Sequence, residues 1–277
     1  MLSRFLAPAA VALALTLGQG HAAEGDATRL EEALQLREVF SVMSEEGSDY
    51  GAQIADDMFP GAGGPSWTQA VNGIYSVDRI LPIFDAAFEA ELAEANADVP
   101  AMIAFFESDL GRRVTTLEIS GRRALLDKAV EDASRLKYEE LSAAGDAKVA
   151  LVDAFVDAND LVEANVAGAM NANYAFYQGL ADAGVLPDGL ADDEILAEIW
   201  SQEDSIRDET DIWIRSYLAM AYAPLSDAEL RQYTDFSETP AGKELNAALF
   251  AGFDAVFTEV SHQLGLAAGG VMAGQEL

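Results

Sequence analysis

The reactive groups of this chain are almost all carboxyls. It holds 48 Asp plus Glu against 16 Lys plus Arg, two histidines and no cysteine. Thiolate chemistry, disulfides and thiolate-ligated metals are therefore excluded. A Ser-His-Asp or Cys-His site would have to use His262, because His21 falls in the leader described below. His262 follows the last long run of helical pattern, where an imidazolium would sit against a helix C-terminus, so a structural role is expected. Oxygen ligands for calcium or magnesium could come from Asp192, Asp193 and Glu194, or from Asp204, Asp208, Glu209 and Asp211. No EF-hand spacing occurs, and in so acidic a chain such groupings arise by chance and belong to a solvated surface. Acid pairs for glycoside hydrolysis meet the same objection. With no P-loop and no GxGxxG opening a helix, no cofactor, no metal and no catalytic residue is expected.

The cations are unevenly placed. Arg112, Arg113, Arg122, Arg123, Lys128, Arg135 and Lys137 fall within 26 positions. Arg112 and Arg123 are eleven residues apart, so on one helix they point the same way about 16 Å apart. This basic ridge (Arg112, Arg113, Arg122, Arg123) is a candidate seat for an anionic partner. Internal neutralisation is the favoured account: Glu118 to Arg122 and Arg123 to Asp127 are both four apart, and an acidic second half can dock there. The aromatics Trp67, Tyr75, Phe84, Phe88, Trp200, Trp213, Tyr217 and Tyr222 could line a groove for an apolar ligand, although at helical spacing aromatics more often fill a core.

The elements that must position these groups are helices. Residues 1–22, MLSRFLAPAAVALALTLGQGHA, combine one cation, an apolar run and small residues at Gly20 and Ala22, which is the pattern of an export leader cut after Ala22. The run is too short for a span of about 20 residues, and no later segment qualifies, so the chain is not expected to cross a membrane. Cleavage removes Arg4 and no acid, taking the formal charge from −32 to −33. Such a field disfavours nucleic acid and anionic lipid as partners. From Thr28 to about His262 the apolar residues recur at three and four, and strand signals are missing. Thr28 with Glu31 and Ser226 with Glu229 form capping boxes. FPGAGGPS (59–66) and ADAGVLPDGLADD (181–193) are loops. GLAAGGVMAGQEL (265–277), rich in Gly and Ala, is expected to be a flexible tail.

A shift of 131 positions lays residues 97–127 on 228–258 without a gap. Phe105/Phe236, Glu107/Glu238, Gly111/Gly242, Gly121/Gly252 and Ala124/Ala255 coincide, and Ser108/Thr239 and Arg112/Lys243 are conservative matches. The shared motif describes a helix junction. Ser108 and Thr239 are N-caps, and Pro240 occupies the first helical position after the second of them. Phe105 and Phe236 close the preceding helix. Gly111 and Gly242 let that helix approach, and Gly121 and Gly252 mark close packing further along. The seam Leu245, Leu249, Gly252, Val256, Val260 faces a partner helix. An internal duplication follows: residues 23–143 form a first helical half and 144–264 a second.

LSDAELRQYTDFSETPAGKELNAAL, and within it Ser226 to Leu245, resembles the C-terminal block of the exported helical proteins grouped as domain of unknown function 2059 (DUF2059). The first half, about 34–127, is similar to a more divergent copy, with Asp109 in place of Pro and Val99-Pro100 in place of Glu-Leu. The resemblance implies a periplasmic helical protein without an assigned activity. The sequence therefore points to an all-α bundle of two related halves, exported to the periplasm. Its expected role is a non-catalytic binding or interaction module of the cell envelope, with an unknown protein or small-molecule partner. The alternatives are a hydrolase working with carboxylates alone or with a divalent cation, and a carrier of an apolar ligand between the halves. A carrier requires a cavity lined by the aromatics; an enzyme requires a carboxyl of raised pKa in a cleft.

Overall fold

The computed structural model describes residues 25–186 and 192–274; the leader read into residues 1–22 and part of the second loop lie outside them. Among the described residues the chain is all-α, without a strand. The helices are α1 (25–33), α2 (Leu36–Met58), α3 (Gly64–Ile74), α4 (Val77–Glu94), α5 (Val99–Phe106), α6 (Asp109–Ala124) and α7 (Lys128–Ala143), followed by α8 (Ala147–Ala158), α9 (Leu161–Asp182), α10 (Asp192–Ser201), α11 (Glu203–Ala221), α12 (Asp227–Ser237) and α13 (Pro240–Met272).

Short polar caps set most of these starts. Asp98, Ser108, Asp127, Asp146, Ser226 and Thr239 each accept a backbone N–H of the following turn, and Ser226 with Glu229 completes a capping box. Thr28 does not cap, because the chain is already helical from residue 25. The single helix expected from Thr28 onward instead breaks at Gln35, whose φ of 54° is left-handed. Leu30, Leu34, Leu36, Phe40 and Met43 are nevertheless all buried. The break re-aims the chain so that both segments keep their apolar faces inward.

The fold is organised around α13. At 33 residues it is about 50 Å long, and it packs on α4 along one side and α9 along another. Against α4, Phe84 sits among Phe40, Phe88 and Phe253 with ring centroids 5.0–5.3 Å apart. Gly252 faces that cluster: a Cβ there would lie 2.5 Å from the Phe84 ring. Gly121 faces α11, where a Cβ would meet that of Ala221 at 3.1 Å. Thus α6 packs on α11 while α13 packs on α4.

Residues 265–272 are not a flexible tail; the last three residues of the expected tail, 275–277, lie outside the described ones. Residues 265–272 are the last turns of α13, with Gly265, Ala268, Gly269 and Gly270 buried. Their smallness serves contact between backbones: a Cβ on Gly265 would lie 2.1 Å from the Phe176 carbonyl oxygen, and one on Gly179 2.1 Å from that of His262. His262 likewise lies within α13, not beyond it, and its Nε2 is 2.9 Å from Asp182 Oδ2 on α9.

Candidate functional site

α9 and α13 run side by side in the same direction. They touch at Gly179 and Gly265, and Asn171 Nδ2 donates to Asp254 Oδ1 at 2.9 Å. Nearer their N-termini α9 presents Ala164, Gly168 and Ala172, which cannot fill the gap. A Cβ on Gly168 would find nothing closer than Asp254 Oδ1 at 4.0 Å. The result is a cavity of about 910 Å³ bounded by α9, α11 and α13, with α6 and α12 at its inner end. Leu249, Phe253 and Phe257 of α13 line one wall, and Trp213 and Tyr217 of α11, stacked at 5.3 Å, line another. This is the size and the character of a small-molecule site: mostly apolar, with a few convergent polar groups.

The polar groups converge on Glu118. Its Oε1 accepts the hydroxyls of Tyr222 at 2.6 Å and Tyr233 at 3.2 Å, while Tyr217 Oη donates to the Glu118 backbone oxygen at 2.9 Å. Glu118 itself lines the cavity. Burial pushes its carboxyl above the ordinary range, and the two tyrosine hydroxyls, which favour the anion, offset this only in part. Burial raises all three tyrosines as well, with the Glu118 charge adding to it. They act as neutral donors to a carboxyl whose pKa is held above its ordinary value.

Glu118 was expected to pair with Arg122. The readable signal was its place four residues after Val114 and one before Ile119, both of which are buried. That puts an acid at the edge of the apolar stripe of α6, where it must find hydrogen-bond donors.

Each ridge arginine is tied to an acid: Arg113 to one in the later part of the chain, as expected, but Arg122 and Arg123 not to Glu118 and Asp127. Arg112 pairs with Asp109 at 2.7 Å and donates to the Glu107 carbonyl. Arg113 reaches Glu229 and the Pro224 carbonyl of the second half. Arg122 grips both oxygens of Glu46 at 2.8 Å, and Arg123 lies 3.4 Å from Glu38. The ridge pins α6 to α2 and α12. Asp127 turns back instead, to cap α7.

The junction residues form one local cluster. Ser108 Oγ and Thr239 Oγ1 accept the N–H of Gly111 and Gly242, each at 3.0 Å. A Cβ on either glycine would fall 2.1–2.2 Å from the carbonyl oxygen of Phe105 or Phe236, so only glycine fits. The rings of Phe105 and Phe236 then stack on one another.

Of the aromatics proposed for a groove, Trp213, Tyr217 and Tyr222 line the cavity. Trp67, Tyr75, Phe84 and Phe88 are core, and Trp200 is 60% exposed. Among the described residues no group of three or more His, Asp or Glu is placed to hold a metal ion. A second, polar cleft of about 610 Å³ lies between α9 and α11. Arg207 fills it by bridging Glu163 and Glu203, and Arg215 by bonding Asp153, Asp157 and Asp211.

No protein-family model, no curated protein and no solved structure matches the chain.

Proposed function

We propose that the protein is a non-catalytic binding protein whose ligand is an apolar small molecule held between α9, α11 and α13. The observation that carries this reading is the 910 Å³ cavity itself, walled by Trp213, Tyr217, Phe253 and Phe257. A gap of that size left by Ala and Gly on α9 costs packing energy in a protein that otherwise packs its long helices backbone to backbone. A ligand would recover it. In the polar cleft Arg207 and Arg215 pair with Glu163, Asp157 and Asp211, and Glu118 has tyrosine hydroxyls and not a second acid for partners, which favours binding over a two-acid hydrolase. The ridge arginines are all occupied, which argues against an exposed basic docking surface.

The same proposal places the protein in the periplasm, exported by the leader at residues 1–22 and akin to the DUF2059 proteins. Descent from two copies of one helical unit is supported by the matching junctions at Ser108–Gly111 and Thr239–Gly242.

The test is titration with Nile red, a neutral apolar dye. The wild-type protein binds it and brightens it. Gly168→Phe, which fills the cavity from α9, abolishes the signal without lowering the melting temperature. Dye bound equally by both proteins would overturn the assignment of the site; dye bound by neither would overturn the reading.

A further inference from the structure

The cavity has an electrostatic asymmetry that narrows its ligand. Four charged side chains line it: Glu118, Arg122, Glu209 and Asp254. Arg122 is neutralised by the two-point bond from Nε and Nη2 to Glu46, and Glu209 by Arg135. Among the described residues neither Glu118 nor Asp254 forms an ion pair. Glu118 accepts only tyrosine hydroxyls, and Asp254 accepts the side-chain amide of Asn171. Every uncompensated charge on the wall is therefore an acid, and the inner one is enclosed by aromatic rings.

We propose that the ligand is an apolar molecule bearing one cationic amine, with its ammonium seated on the Glu118 carboxyl amid Tyr217, Tyr222 and Tyr233. The inference rests on the cavity-binding reading above and adds the head group to it. Tyr222 and Tyr233 both donate to Oε1, so they hold the carboxyl in place from one side and leave Oε2 as the acceptor for an incoming N–H. The tyrosine hydroxyl oxygens beside it are further acceptors for the ammonium N–H groups. A carboxylate or phosphate head would face Glu118 and Asp254, while the one arginine on the wall, Arg122, is already committed to Glu46. The formal charge of −32 acts in the same direction at long range, drawing cations in and turning anions away.

The proton balance follows. Burial holds the Glu118 pKa above its ordinary value, and an ammonium beside it lowers it again. The amine enters as R–NH₃⁺ and Glu118 ionises, so each amine bound to a protonated site yields a carboxylate–ammonium pair and releases one proton to solvent. No covalent bond other than the carboxyl O–H is broken. The other groups facing Glu118 are the tyrosines, which stay neutral, and Arg122, which stays charged, so the released proton comes from Glu118.

Calorimetric titration of the full chain with decylamine, 1-decanol and decanoate at pH 7, each below its aggregation threshold, tests this. Decylamine is expected to bind at least tenfold more tightly than decanol, and decanoate more weakly than either. Glu118→Gln brings decylamine down to the affinity of decanol and leaves decanol unchanged. The wild-type order of affinities, amine above alcohol above carboxylate, is a readout that stands even if Glu118→Gln fails to fold. Equal affinities for amine and alcohol overturn the head-group inference but keep the cavity. Decylamine binding that survives Gly168→Phe marks adsorption on the acidic surface and overturns it too. Failure of amine and alcohol alike overturns the cavity reading on which it rests.

Discussion

The rings of Phe105 and Phe236 lie face to face, with centroids 3.9 Å apart and planes within 8° of parallel. The two residues are 131 positions apart in sequence and occupy the same place in the two helix junctions. Tyr233 stacks on the far side of Phe105, and Phe106 meets Phe236 edge-on. This aromatic stack joins α5 to α12, and through Tyr233 it reaches Glu118.

The first prediction follows from that stack. Both rings are only partly buried, so Phe105→Ala and Phe236→Ala are each expected to cost about 2 kcal/mol, below the 3–5 typical of fully buried Phe. Because each loss removes the same contact, the double variant should fall short of the sum by about 0.5–1.5 kcal/mol. Urea denaturation of the four proteins measures this. Strict additivity would show that the rings do not stabilise one another.

Glycine substitutions give an internally controlled series. Gly179→Ala and Gly265→Ala would drive a methyl into backbone 2.1 Å away, which a helix can accommodate only by separating. Gly252→Ala meets the Phe84 ring at 2.5 Å, in a cluster with no free volume. Overpacking of this kind costs about 1–3 kcal/mol, and for a chain of this size each kcal/mol lowers the melting temperature by about 2–4 °C. Gly168→Ala has open space and gains about 1 kcal/mol of helix propensity. The expected order of melting temperatures is Gly168→Ala above wild type, then Gly252→Ala, then the two backbone-contact variants. A melting temperature for Gly265→Ala equal to that of wild type would show that α9 and α13 are not in contact there.

The helices and their caps were legible in the sequence because they depend on neighbours. Ser108, Ser226 and Thr239 bond three residues ahead, and the spacing of Leu245, Val256 and Val260 marks one face of one helix. What stayed hidden depends on which helices meet. Gly265 and Gly269 look like a loose tail until Phe176 and Ala183 of α9 are set against them. Glu118 looks like the partner of Arg122 until Glu46 takes the arginine and Tyr222 and Tyr233 take the acid. The cavity was the least legible feature of all. It arises from side chains that are small, at Ala164, Gly168 and Ala172, and a helical pattern records such residues only as neutral positions.

Salt should stabilise the protein. At a formal charge of −32 the folded chain repels itself, and most of its ion pairs are exposed and contribute little. Screening therefore removes more repulsion than attraction. The urea midpoint is expected to rise between 20 mM and 500 mM sodium chloride, with most of the gain near the lower end, where the Debye length shortens fastest. Arg122→Met should lower stability at both salt concentrations, because it strands Glu46, whose side chain is only 31% exposed, without its two-point partner. A midpoint that falls with salt would mean that the exposed pairs matter more than the net charge.

A final prediction concerns pH and the contact of α1 with α4. Glu31 Oε1 and Asp85 Oδ1 are buried without a hydrogen-bond donor. Burial, then the charges of Asp85, Glu89 and Glu32, push the Glu31 carboxyl up to about 7, and burial with Glu89 raises Asp85, against the pull of Arg37. A carboxyl whose folded pKa lies above its unfolded value of 4.5 binds its proton more tightly in the folded state. Folding is therefore favoured most at or below pH 4.5 by this group, and the advantage is lost as pH rises toward 7. For a carboxyl that retains access to water the loss is about 1–2 kcal/mol after allowance for solvent screening. Glu31→Gln, neutral at every pH, should match the wild type near pH 4.5 and exceed it at pH 8 by that amount. Comparing the two in urea at both pH values cancels the contribution of all other acids. A constant difference between them across pH would show that Glu31 binds its proton equally well in the folded and unfolded chains, and that its burial against α4 does not raise its pKa.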